Sequence, residues 1–452
     1  MATTTLAPSL QADVSAYLAE ELLPLTLAEL VIYDFADKVT LPKGRGTTYT
    51  MSRYARAALP YAPTAEGVPP VATPLVVSQA TVQLQQWTGL ITITDVAQDT
   101  IFHDVFAITK ERIALMSGEL MERNAIQAIF GFTQVNYVNQ RGSRAALTAQ
   151  DQLNPQELQR AYSMLVTLGA HKFKGPTGPD VKLSAGEGEP RALSEPRSNP
   201  HFVGVVHPFV EADLRNNPQV QLVSAYSSPN RLYNGEFGEW NGIRFISSNM
   251  IPAFSGIAAI TGTGAITGGV LATGNYQIIV TQSDLTYNFE TIIAQQSAAI
   301  NIASGSTGSI NVTLPAAAGY TYSIYISQVG STVVSNLATC VAGPTQGTLQ
   351  GQATQLAPSQ TVVLTGIGVA KTPPAAPATG LTVYPSWIFG KSAYCIVTLD
   401  DLKVNYLDSP EKTDPANQLR MASFKFFNGC FIKNNAFAMR IESTSQYQFA
   451  FA

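Results

Sequence analysis

The sequence predicts an α+β protein carrying an inserted all-β domain, and three observations lead to that expectation. Apolar residues recur at three- and four-residue steps over residues 100–130, next to runs rich in β-branched and aromatic residues. Helix and strand signals then alternate up to residue 252. From Ala253 to Pro385 the only charged side chains are Asp284, Glu290 and Lys371, and the strand pattern repeats between Gly, Ser, Asn and Pro turns.

Taken in order, residues 1–37 hold six acids (Asp13, Glu20, Glu21, Glu29, Asp34, Asp37) and no base. Pro24 is expected to split this leucine-rich stretch into two short helical pieces, an arm in need of a surface to lie on. Residues 45–94 read as a long hairpin, with strands at Thr48–Tyr54, Thr81–Leu84 and Leu90–Thr94. Its tip is stiffened by Pro60, Pro63, Pro69, Pro70 and Pro74. Between Ala57 and Thr94 the only charge is Glu66, so a free ribbon of this composition would associate. The strongest helix follows, with Phe102, Val105, Phe106, Ile113, Met116 and Leu120 on one face and Lys110, Glu111, Arg112, Glu119, Glu122 and Arg123 on the other. Asp99 or Thr100 is the expected cap.

A second helix is announced by Asn154-Pro155-Gln156-Glu157, with Asn as cap, Pro at the first turn, Glu157 reaching back and Gly169 as the stop. Residues 172–200 read as a loop, Phe202–Val206 as a buried strand, and Pro208 as the start of another helix. Residues 253–385 form the expected β-sandwich of immunoglobulin-like type, bounded by linkers at Ile251-Pro252 and Thr372–Pro377. The chain then ends in short strands rich in Phe.

Composition limits the function classes. The chain has 452 residues, room for about three domains. Only 13% are charged, about half the ~25% of ordinary soluble proteins. With 27 Lys+Arg against 31 Asp+Glu, the net charge of −4 excludes binding to nucleic acid through a general positive field. A chain this poor in charge must solvate itself with neutral polar groups or be covered by partners. Cys340, Cys395 and Cys430 are widely spaced and contain no Cys-x-x-Cys, which argues against a disulfide framework or a cysteine zinc site. No base precedes Lys38, so the basic start of a secretory signal is missing. The apolar stretch Ile251–Gly274 is interrupted by Pro252 and several Gly, against a membrane span.

Candidate chemistry is sparse. His201 and His207 with Glu211 and Asp213 match no metal signature and read as ordinary strand-end histidines. Phe389-Gly-Lys-Ser392 lacks the first glycine of a phosphate loop, where Pro385 stands. Gly262–Gly269 lacks dinucleotide-binding spacing, and no Gly-x-Ser-x-Gly or His-Glu-x-x-His occurs. No catalytic residue, cofactor or metal is expected.

The order of parts carries a resemblance. An acidic arm, a proline-tipped hairpin, a long helix, an α/β lobe and Phe-rich terminal strands follow one another. Gly235-Glu-Phe-Gly-Glu-Trp-Asn-Gly-Ile-Arg-Phe245, Phe389–Tyr394 and Gln418–Gly429 add local likeness. This order resembles the major capsid proteins of tailed phages, whose coat fold is named for a Hong Kong coliphage. The resemblance implies an N-arm at 1–44, an E-loop at 45–94, and a P-domain with spine helix at 95–135 and 419–452. It further implies an A-domain at 136–252 and 386–418, with the β domain inserted at 253–385. It implies a self-assembling icosahedral shell of hexamers and pentamers around double-stranded DNA, built in the bacterial cytoplasm without enzymatic activity or membrane contact. The strand-rich hairpin starts near residue 45, so the expected partners include a separate scaffolding protein, besides a portal and a decoration protein; DNA contact is weak and non-specific. The expected inter-subunit contacts are Tyr49, Arg53, Tyr54, Arg56, Tyr61, Glu66 and Trp87. The alternative reading is a tail, fibre or adhesin subunit whose β domain binds a receptor.

Overall fold

The computed structural model describes residues 31–42, 44, 46–54, 59, 74–100, 105–173, 200–222, 235–284, 289–315, 320–342, 348–349, 361–407 and 418–447. The expected helical pieces of the arm, most of the hairpin tip and most of the 172–200 loop lie outside them. The chain is a mixed α+β protein, rich in strands, and divides into two compact units. One holds residues up to Phe132 with Lys391–Asn435; the other holds Thr133–Gly390 with the residues from Ala436 on.

The first unit is built on a four-stranded sheet in the order Asp37–Thr40, Tyr394–Leu407, Leu419–Ile432, Gln85–Thr94. The first pair is parallel and the others antiparallel. The Phe-rich strand Leu419–Ile432 and its partner Tyr394–Leu407 have 14 residues each and are not the short strands expected. Register shifts between Thr398 and Lys403 let so long a pair twist without losing its ladder. The helix Val105–Ile129 covers one face, about 37 Å at 1.5 Å per residue. It sets Ile113 against Ala422, Phe424 and Phe426, with Trp87 and Ile91 at the margin. Strand alternation puts both phenylalanines on this face, where their rings stack 5.9 Å apart. Gly89 faces Phe424 across the ladder, and a Cβ there would stand 2.2 Å from the ring, so only glycine admits it.

Two details of the helix differ from expectation. Asp99 and Thr100 are not an N-cap, because they lie within the helical residues Asp95–Thr100, at whose start Thr94 Oγ1 accepts the Ala97 N–H. Glu122, assigned to the solvent face, is fully buried. Its carboxylate accepts the backbone N–H groups of Val31, Ile32 and Tyr33 at 3.0, 2.6 and 2.8 Å. Those are the free donors at the start of the helix Ile32–Phe35, which has no cap of its own. The Tyr394 hydroxyl donates to the Ile32 carbonyl at 2.5 Å, fixing the same turn from the sheet.

The second unit carries one long strand path. It runs Gln221–Leu222, Glu236–Trp240, Ile243–Ser247, Phe202–Val206, Thr382–Phe389, Phe254–Ile257 and Glu290–Ala294. It continues through Ile278–Asp284, Tyr320–Ser327, Val334–Ala342, Thr361–Ala370 and Ser309–Thr313 to Gly262–Ala265. Phe202–Val206 is buried on both faces, which explains its unbroken apolar run. Helix Pro155–Thr167 starts as predicted, with Asn154 Oδ1 accepting from the Glu157 N–H at 3.1 Å, and buries Leu158, Ala161 and Leu165. Gly169, at φ +70°, ends it. The Glu157 carboxylate is used elsewhere than at the cap: it accepts from Asn136 Nδ2, the Asn139 N–H and Arg160 Nη1.

His207 caps the helix Pro208–Arg215, its Nδ1 accepting the Phe209 N–H at 3.2 Å. Its ring lies between Phe209 and Tyr384, with centroids 5.2 and 4.7 Å away. Among the described residues no group of three His, Cys, Asp or Glu is placed to hold a metal. Lys391 and Ser392 lie in a turn that leads directly into the strand Tyr394–Leu407 and not into a helix, so the phosphate-loop reading has no structural basis.

The charge-poor segment has its own core, including Ile278, Val280, Ile310, Tyr322, Ile324 and Leu364, and a second small sheet of Gly274–Tyr276 with Ile300–Ile302. The edges expected as paired linkers lie side by side, Gly256 N–H donating to the Leu381 carbonyl and Gly380 N–H to that of Gly256. Pro252 is buried, and the entry strand Phe254–Ile257 pairs with Glu290–Ala294 on one side and Thr382–Phe389 on the other.

Two outcomes follow from these anchors. Glu122→Ala strands three backbone donors and should lower stability by about 2–4 kcal/mol, read as a shift in the urea midpoint. An unchanged midpoint would contradict the anchor. Burial pushes the His207 imidazole from 6.5 down to about 4. Between those values the unfolded chain binds the extra proton, so this group's contribution is full above pH about 6.5 and is lost as pH falls toward about 4. His207→Asn keeps a capping acceptor without the titration, and should flatten the pH dependence of stability across that window.

Candidate functional site

Thr48–Tyr54 and Val77–Gln83 pair antiparallel, Thr48 opposite Gln83 and Tyr54 opposite Val77, as a two-stranded ribbon. Such a ribbon is marginal in water unless one face is packed. Near its base this condition is met. Tyr49, Met51, Ala80 and Val82 point inward onto Leu41, Leu84, Cys395, Val397 and Phe431. The rings of Tyr49 and Phe431 lie 6.3 Å apart. The opposite edge carries Thr50, whose hydroxyl meets that of Thr81 at 3.2 Å.

Beyond Met51 and Ala80 the inward packing ends. From Ser52 to Tyr54 and from Pro74 to Gln79 every residue is exposed. Arg53 makes one contact back to its own unit, Nη1 donating to Asn434 Oδ1 at 3.1 Å. Tyr54, Leu75 and Val76 remain 63%, 64% and 60% exposed, with Val77 beside them. An apolar cluster raised on a two-stranded stem, away from its own core, has the character of a protein-binding surface. It offers little charge and no catalytic group.

The residues expected at contacts fall into three groups. Tyr49 is packed into its own unit, and so is Trp87, whose strand belongs to the four-stranded sheet and whose ring lies 5.4 Å from the Arg123 guanidinium. Arg53 and Tyr54 stand on the exposed half of the ribbon. Arg56, Tyr61 and Glu66 lie outside the described residues. Sequence reasoning missed Leu75, Val76 and Val77. The signal was the uncharged run Pro74-Leu-Val-Val77, which has no polar alternation of its own.

No protein-family model and no curated protein matches the sequence. The fold does match solved structures. The capsid of Ralstonia phage GP4 superposes with a TM-score of 0.50 at 10% identity, over 95% of this chain and 95% of that one. Also similar are the capsid of the cyanophage P-SCSP1u, with a TM-score of 0.48 at 11% identity over 98% and 97% of the chains, and that of the cyanophage Pam1, with 0.47 at 10% over 99% and 100%. At this identity the likeness is one of fold, and it extends over nearly the whole chain.

The ribbon yields a direct test. Replacing Leu75, Val76 and Val77 together with Ser removes exposed surface only, so the stability of the isolated chain should change by no more than about 0.5 kcal/mol per substitution. Self-association by sedimentation velocity should fall at least tenfold. Loss of the folded monomer instead would place these residues in its own core.

Proposed function

We propose that this protein is the coat subunit of a tailed bacteriophage, assembling into the hexamers and pentamers of an icosahedral shell around double-stranded DNA. The observation that carries this reading is the fold match with the Ralstonia phage GP4 capsid over 95% of both chains. In this reading the ribbon is the E-loop, the helix Val105–Ile129 the spine of the P-domain, and residues 253–385 an immunoglobulin-like sandwich inserted in the A-domain. A shell repeats one chain through head-to-tail contacts, and an apolar ribbon that leaves its own core enlarges each contact. The function then lies in geometry and requires no catalysis.

The interior DNA needs no specific site. The inserted domain's one base, Lys371, is paired with Glu290 at 2.6 Å, so the domain offers packaged DNA no free cation and is better placed on the outer surface. A separate scaffolding protein, a portal and a decoration protein complete the expected partners.

Negative-stain microscopy of the chain expressed with its phage partners should show closed shells, and deleting residues 58–76 should leave folded subunits that form none. Rods, trimers or chains that never assemble would overturn the coat reading in favour of a tail or fibre subunit. No lysine lies between Lys43 and Lys110, so the ribbon tip has no amine for covalent locking and shells should run as single chains on a denaturing gel.

A further inference from the structure

One guanidinium holds both points at which the chain enters and leaves the charge-poor domain. Arg144 lies in the turn Arg144–Ala146 and is almost wholly buried. Its Nε and Nη2 donate to the two carboxylate oxygens of Glu442, each at 2.6 Å. Its Nη1 donates to the Ala375 carbonyl at 2.9 Å, in the proline-rich exit. Its flat face covers the ring of Phe254, 4.0 Å from the centroid, at the start of the entry strand. Glu442 is itself immobile: its strand, Ala438–Ser443, pairs with both Thr382–Phe389 and Val135–Tyr137, and Arg440 Nε stands 3.1 Å from its Oε1.

The surrounding contacts act in the same sense. Gly256 donates to the Leu381 carbonyl at 3.0 Å and accepts from the Gly380 N–H at 2.8 Å, joining entry to exit. A Cβ on Gly256 would come within 2.4 Å of the Pro377 and Ala378 carbonyls, so the two segments run as close as backbone permits. Gln295 Nε2 donates to the Pro377 carbonyl. Lys371, the last residue before the exit, is paired with Glu290 on the strand next to the entry strand. Only a planar fork with several fixed donors can bind a carboxylate in two places, a carbonyl in a third and an aromatic face at once.

We propose that Arg144 is the positioning residue that sets the angle of residues 253–385, making them a rigid extension of the host sheet and not a tethered module. In a shell, each copy would then present the same neutral surface at one angle. That consequence rests on the coat reading; the rigidity itself does not.

The test uses spin labels on the full, unassembled chain at Val333→Cys, in the domain, and Val166→Cys, on the helix Pro155–Thr167, which are 65% and 47% exposed. Cys340 and Cys395 are buried, which pushes their thiols up to about 12 and 11, and the half-buried Cys430 is removed as Cys430→Ser in every variant. Double electron–electron resonance should give one narrow distance peak with Arg144 intact. Because Arg144→Ala alone would leave the buried Glu442 carboxylate with Arg440 as its one ion-pair partner named here, the comparison variant is Arg144→Met with Glu442→Gln. It should widen the distribution about twofold or more while circular dichroism stays unchanged. Arg144→Lys keeps Glu442 paired but loses the fork, and provides the readout should the double variant not fold: it too should widen the peak. A broad distribution with Arg144 intact would overturn the rigid extension, and an unchanged narrow one in whichever variant folds would overturn the role of Arg144. Failure to form shells alongside a narrow peak would count against the coat reading alone.

Discussion

A charge removed from water is tolerated only where its partners are fixed, and in this protein that constraint joins segments far apart in sequence. Glu122 receives the chain at Val31–Tyr33, about ninety residues earlier. Arg144 meets Glu442 nearly three hundred residues later. With only 13% charged residues, the chain has few ions to distribute, and those it buries stand where one element must be held against another. Apolar packing alone is non-directional and would leave these junctions free to slide. Oriented hydrogen bonds to a carboxylate or guanidinium remove that freedom.

The same strand alternation has opposite outcomes in different places. In Leu419–Ile432 and Gln85–Thr94 the inward residues meet a helix, and the result is a closed core. In the ribbon the inward residues meet a surface only as far as Met51 and Ala80, and the strands then continue without support. Continuing a paired strand beyond its core exposes apolar area that the monomer does not need. That surface is coherent physically if another copy covers it.

The charge-poor segment illustrates how poorly composition reports the contacts a stretch of chain makes. A loss of charge between Ala253 and Pro385 marks a change of surface chemistry, and the prolines at the margins read as linkers. Yet the entry strand is shared between two pairings, and the exit carbonyls are taken by Arg144 and Gln295. Proline removes a donor but leaves its carbonyl, and a side-chain donor supplied from elsewhere can turn a proline-rich stretch into a fixed strut.

Local rules were enough for the sequence by itself to determine several elements. Asn154-Pro155 and Pro208 start helices because a cap and a preset φ act over three or four residues, and Phe202–Val206 reads as a strand because every side chain is apolar. The ribbon's strands and the charge-poor segment were legible for the same reason, as was the mixed α+β class. What only the tertiary structure decided depends on partners distant in the chain. Glu122 sits among charges at helical spacing, and nothing near it shows that three amides from residues 31–33 replace its water. The lengths of the paired strands Tyr394–Leu407 and Leu419–Ile432, the packing of Trp87 at the margin of a core and the exposure of Leu75–Val77 likewise follow from which surface each segment meets. A periodicity fixes which side chains share a face; what that face lies against is set by contacts that no short window of sequence contains.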